Sequence, residues 1–158
     1  MFKSKKELVF IILAGIFITN AVTAELIGGK LIQIGPFVMS IGILPWPVVF
    51  LTTDLINDYF GKEGVKKLSY ITAALIAYSF ILLFLAMTIP AATGISPVDD
   101  EQFKAVFGQS MWIIVGSITA FLVSQLIDVT IFHFVKNRTG KKMLWLRSTG
   151  STVISQLF

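Results

Sequence analysis

Two short runs place polar side chains at helical spacing inside apolar sequence. In "TTDLINDYF" (52–60), Asp54, Asn57 and Asp58 stand at i, i+3 and i+4 and share one helix face. In "SQLIDVTIF" (124–132), Ser124 and Asp128 are four apart, and Gln125 and Asp128 three apart. Ser-Gln-Leu then recurs at 155–157, within "STVISQLF". A third pair, Asn20 and Glu25, is five residues apart, about 140° around a helix, so the two need not point to one place. Carboxylate and amide oxygens accept from N–H groups, and amide nitrogens donate to carbonyls. A neutral planar heterocycle with amidine-like edges fits such a set. So does a cation or a proton relay, and composition does not choose between them.

Other chemistry is poorly supplied. There is no cysteine, and His133 is the single histidine. It sits near a helix end and reads as an interfacial residue, which leaves no conventional zinc or haem site. No nucleophile–base pair and no nucleotide-binding motif is present. The sequence therefore predicts no catalytic residue, no metal, no cofactor and no ATP hydrolysis by this chain. The net charge of +4 is not a sign of nucleic-acid binding, because the basic residues are grouped by position along the chain.

The elements that must hold these groups are apolar helices. Of 158 residues, 55% are hydrophobic and only 14% charged, against about a quarter charged in a soluble domain. The stretches Leu8–Ala24, Leu31–Thr53, Leu68–Val98 and Ala105–Ile127 carry no charged side chain. About 20 apolar residues cross a bilayer as a helix. The reading is an all-α integral membrane protein, a multi-pass helical bundle in one membrane domain over 1–158. Helices are expected at about 8–27, 43–60, 68–89 and 109–135, four full spans, with an incomplete fifth at 149–158. Pro36, Pro45 and Pro47 argue against one plain span from Leu31 to Thr53, so an outer hairpin or flap is expected at 31–41. Ser96-Pro97 before three acids predicts the start of a short interfacial helix. Gly116 and Ala120 form a small surface suited to close helix packing.

Eleven of the thirteen basic residues fall on one side of this arrangement, and only Lys30 and Lys104 on the other. The positive-inside rule then puts the N-terminus in the cytoplasm of a cell-membrane protein. The basic start, the apolar run from Leu8 and "AVTA" before Glu25 imitate a cleavable signal. The length of Leu8–Gly28 favours an uncleaved first helix.

An ionisable group in hydrocarbon costs about 2.5–3.5 kcal/mol on insertion scales, so such groups face a cavity or a partner. Asp58 and Asp128 have an ordinary reading, pairing with Lys62 or Lys136 at the inner boundary. Gln125 has one as interhelical glue. Asp54, about eleven residues into its helix, is harder to explain that way.

Four stretches carry a resemblance: "NAVTAELIGGK" (20–30), "GILPWPVVFLTTDLINDYFGK" (42–62), "SQLIDVTIF" (124–132) and "LRSTGSTVISQL" (146–157). With them the chain resembles the queuosine precursor transporters, formerly grouped as vitamin uptake transporters. The resemblance implies about six spans and a likeness to the substrate-binding subunits of energy-coupling-factor transporters. It implies import of 7-deazaguanines, such as 7-cyano-7-deazaguanine, for tRNA modification. The family's polar positions fall on Asn20, Glu25, Asp54, Asn57, Ser124, Gln125 and Asp128. Arg147, Ser148 and Thr149 follow in the inner loop, and Ser155 and Gln156 in the fifth span. Trp46 would stack on the base, while Asp54 or Glu25 takes its ring N–H and exocyclic amine. Family members continue past the second Ser-Gln with another acidic residue and a sixth span, so a truncated product or fragment is expected. The partners expected are a small-molecule substrate and membrane lipid, with no nucleic acid. A homo-oligomer, separate energising subunits and proton coupling stay open at this point.

Overall fold

The structure is a computed structural model that describes residues 4–109, 111–139 and 144–155. Helix α1 (Lys5–Ile27) is capped by Ser4, whose hydroxyl accepts from the Glu7 amide. A hairpin follows, β1 (Leu31–Ile34) and β2 (Phe37–Ser40), paired antiparallel with Ile34 opposite Phe37. Gly35 turns it at φ 59°, where a side chain would be strained. A short 3-10 turn (Ile41–Ile43) leads into α2 (Trp46–Phe60), with Pro45 at its cap and Pro47 in its first turn, where a missing N–H does little harm. Then come α3 (Lys62–Ala86), α4 (Asp100–Phe107), α5 (Met111–Thr139) and α6 (Leu144–Ser155).

Among the described residues, three stretches are long and apolar enough to cross a membrane: Lys5–Ile27, Lys62–Ala86, and Asp100–Thr139 with its helix α5. The protein is an all-α, multi-pass membrane bundle. Helix α2, expected as a full span, has 15 residues. That is about 22 Å against a hydrocarbon core of about 30 Å. The prolines hold the chain ahead of it in a hairpin and a 3-10 turn.

The other boundaries shift for local reasons. The run "GKEGVKK" reads as a turn, yet Gly61 alone makes the corner, at φ 81°, and α3 starts at Lys62 with Glu63 in its first turn. Helix α6 starts at Leu144, inside what the sequence presents as a loop. The short outer helix begins at Asp99 and not at Ser96. Asp99 accepts from the Gln102 amide at 2.8 Å, and Gln102 accepts from the Asp99 amide at 3.2 Å. This capping box satisfies two backbone donors where Ser96 would satisfy one.

The apolar core joins Phe17 and Ala21 of α1, Val49 and Ile56 of α2, Val65, Leu68, Ile76 and Phe80 of α3, and Ile114, Phe121 and Val129 of α5. Helix α6 packs chiefly along α5 and touches α2 near Asp54. The Gly116–Ala120 surface is exposed among the described residues, and Ala120 lines a cavity there.

Candidate functional site

The polar groups inside the bundle stack in tiers between α1, α2, α5 and α6. At the end labelled outer on the orientation expected from the basic residues, the Glu25 carboxylate accepts from the Ser117 hydroxyl at 2.6 Å. Gln109 donates its amide to the Glu25 backbone carbonyl at 3.2 Å. Around them opens a cavity of about 480 Å³, lined by Glu25, Gly28, Ser40, Trp46, Ser117, Phe121, Ser124 and Ser155 among others. The Trp46 ring stands against Phe50 at 5.7 Å and Phe121 at 5.9 Å. It therefore offers a fixed aromatic wall.

In the middle tier Gln125 is fully buried and accepts from the Thr53 hydroxyl at 3.2 Å. Its Nε2 has no hydrogen-bond partner among the described residues. Asp128, also fully buried, faces Thr152 and Ser155 of α6, each at 3.4 Å from Oδ1. Below it the Asp54 carboxylate accepts from the Ser148 hydroxyl, which ties α2 to α6. A second cavity of about 440 Å³ opens there, lined by Trp46, Pro47, Phe50, Asp54, Ser148, Thr149 and Thr152 among others. Trp46 and Ile43 line both cavities.

The inner tier is a rim. Asn57 Oδ1 lies 2.7 Å from His133 Nε2, so His133 carries a proton on Nε2 when Asn57 accepts. Lys136 donates to Asp58 Oδ1 at 2.7 Å and to the Asp58 carbonyl at 3.2 Å. Asp58 thus takes the boundary pairing that the sequence allows for it. Asp128 does not pair with Lys136, which lies eight residues on, about 12 Å along the helix. Reversing the pair as Asp58→Lys with Lys136→Asp should restore most of the thermal stability that either single change removes. A partly exposed pair of this kind is worth about 1 kcal/mol. Additive losses in the double variant, read by melting in detergent, would show that the pair contributes nothing.

The expected site residues therefore separate. Glu25, Trp46, Ser124 and Ser155 meet at the outer cavity, and Asp54 with Trp46 at the inner one. Gln125 and Asp128 lie behind the two cavities, and Asn57 at the rim. Asn20 donates its amide to the Ile16 carbonyl of its own helix at 2.8 Å and lines neither cavity. Gln156 and the Arg147 side chain lie outside the described residues. Sequence reasoning passed over Ser117, Gln109, Thr53 and Thr152. Each is a hydroxyl or amide in apolar sequence with no spacing signal of its own.

The chain is similar to two curated proteins, both named "Probable queuosine precursor transporter". The Bacillus subtilis (strain 168) protein is 27% identical over 131 residues, 82% of this chain and 56% of that relative. The Haemophilus influenzae (strain Rd) protein is 26% identical over 119 residues, 73% of this chain and 46% of that relative. The chain spans about half the length of the curated relatives it matches. No solved structure matches it. Residues 40–158 match the family described as "Putative vitamin uptake transporter", and the chain belongs to that family.

Proposed function

We propose that this chain takes part in the uptake of queuosine precursors, 7-deazaguanines such as 7-cyano-7-deazaguanine, across a cell membrane. The names of both relatives support the reading. The observation that carries it is the outer cavity. Its volume of about 480 Å³ lies within the usual range for small-ligand sites, about 300–1,000 Å³. A carboxylate stands on one wall and a tryptophan on another. A 7-deazaguanine presents a flat face and an edge bearing a ring N–H beside an exocyclic amine. The face stacks on Trp46. The edge donates to the Glu25 carboxylate, which Ser117 holds in place while leaving its second oxygen for the ligand.

From there the base passes Trp46 to the inner cavity, where Asp54 offers the same kind of acceptor. Ser124 and Ser155 supply neutral hydroxyls that do not trap the solute. Gln125 and Asn57 tie α5 to α2 and hold the walls. The grouping of basic residues supports an orientation with the N-terminus and the Asp58–Lys136 rim in the cytoplasm. Glu25 then faces outward, as uptake requires.

Binding of 7-cyano-7-deazaguanine to the purified chain, by equilibrium dialysis in detergent, tests this reading. The parent chain should bind saturably. Glu25→Gln should weaken binding about tenfold, the loss of one hydrogen bond to a half-exposed charged group. No saturable binding, or equal binding by Glu25→Gln, would overturn the assignment.

A further inference from the structure

Asp128 is a buried carboxylate that the transport pathway leaves unused. It is fully buried on α5 yet lines neither of the two cavities. Its Oδ2 has no hydrogen-bond partner, and no lysine or arginine pairs with it, among the described residues. What it faces are two hydroxyls on α6, those of Thr152 and Ser155, while the neighbouring Ser151 hydroxyl donates to the Ser148 carbonyl at 3.2 Å. Ser151 and Ser155 are themselves fully buried.

The spacing is informative. A hydroxyl donating to a carboxylate normally approaches to about 2.5–2.7 Å. Thr152 Oγ1 and Ser155 Oγ both stand 3.4 Å from Asp128 Oδ1. The Ser155 hydroxyl donates at 3.0 Å to the Thr152 carbonyl, which leaves its oxygen lone pairs beside the carboxylate without a close bond to it. In an octahedral oxygen shell, neighbouring oxygens lie √2 times the ion–oxygen distance apart. An edge of 3.4 Å gives an ion–oxygen distance of about 2.4 Å, a length typical of hard cations held by oxygen and longer than magnesium takes. One carboxylate among neutral hydroxyls balances a single positive charge.

We propose that Asp128, with Thr152 and Ser155, forms a binding site for a small monovalent cation, and by size that cation is sodium. A bound ion resolves the cost of an uncompensated carboxylate at this depth. It also explains why two hydroxyls converge on one acid. The position gives it a further use. Ser155 lines the outer cavity and Thr152 the inner one. An ion that fixes these two side chains sets the walls of both. This coupling rests on the transport reading, whereas the binding of the ion does not.

Binding of radioactive sodium to the purified 158-residue chain in detergent, in choline chloride at constant ionic strength, decides the matter. Saturable binding is expected, displaced by unlabelled sodium and not by added choline. Asp128→Asn should abolish it. Ser155→Ala and Thr152→Val each remove one hydroxyl and should each weaken it about tenfold, the loss of one ligand. These two variants carry the test if Asp128→Asn fails to fold. No saturable sodium binding, binding untouched by all three changes, or a stability that responds to pH and not to sodium would overturn the site. The same samples are assayed for 7-cyano-7-deazaguanine. Loss of that binding with sodium binding intact would count against the transport reading alone.

Discussion

Asp54→Asn should reach the membrane in normal amount and lose about a hundredfold in 7-deazaguanine uptake. Asparagine matches aspartate in size, so packing around α2 is kept. The change is one of hydrogen-bond polarity. A carboxylate accepts at both oxygens, whereas an amide presents an N–H₂ on one side. The amidine-like edge of the substrate then meets a donor where it needs an acceptor. Asp54 is only 3% exposed, far less than Glu25, so water does little to weaken the contact or to replace it once lost. A hydrogen bond to a charged group is worth about 1.5–3 kcal/mol, and the upper half of that range corresponds to the hundredfold expected. The measurement is uptake of labelled 7-cyano-7-deazaguanine by cells that cannot make queuosine. It compares this chain with the variant. Unchanged uptake in the variant would remove Asp54 from the pathway.

Gly42→Ala should lower the melting temperature of the chain in detergent and also impair ligand binding at the outer cavity. A Cβ at position 42 would lie 2.6 Å from the Ala24 carbonyl and 3.1 Å from Ser40 Oγ. The first of these is backbone on α1 and cannot swing aside. Ser40 is also committed, donating to the Gly28 carbonyl at 2.7 Å and accepting from the Gly42 amide at 3.0 Å. One methyl group therefore pushes the hairpin off the end of α1. Overpacking of this kind costs about 1–3 kcal/mol. In a chain of this size that is a fall of about 3–10 °C. Met39, Ser40 and Gly42 line the outer cavity, so its shape changes with them. A variant that melts and binds like the parent would show that the hairpin is not seated there.

Much of this site was legible in the sequence, and the illegible parts share a cause. The i, i+3, i+4 pattern singled out Asp54, Asn57 and Asp58 because an acid or amide in apolar sequence is costly and therefore visible. The pattern did not say where each would turn. Asp54 reaches α6, Asn57 meets His133, and Asp58 meets Lys136. These are facts of packing between helices far apart in sequence. Thr53 stayed hidden because a threonine in a helix usually satisfies itself, and this one does donate to the Val49 carbonyl while also reaching Gln125. Ser148 was reached only through the family resemblance, and its contact with Asp54 was not, because it lies in a basic stretch that reads as a loop but begins a helix. The capping box at Asp99 was present in the letters and was outranked by the stronger-looking Ser96-Pro97. Among the outer residues, Glu25 gave no hint of Ser117, which lies 92 positions away.

The one-residue corner at Gly61 has a consequence for how the molecule moves. With one residue between them, α2 and α3 form a short bracket, and Gly61 is the position at which the angle between its arms can change. The bracket carries Asp54 and Trp46, whereas Gln125, Asp128 and Ser148 ride on the opposite pair of rods. On the transport reading proposed above, exposure of a bound solute to alternate faces would call for sliding between these two halves, with the hydroxyl and carboxyl contacts acting as detents that are released and remade.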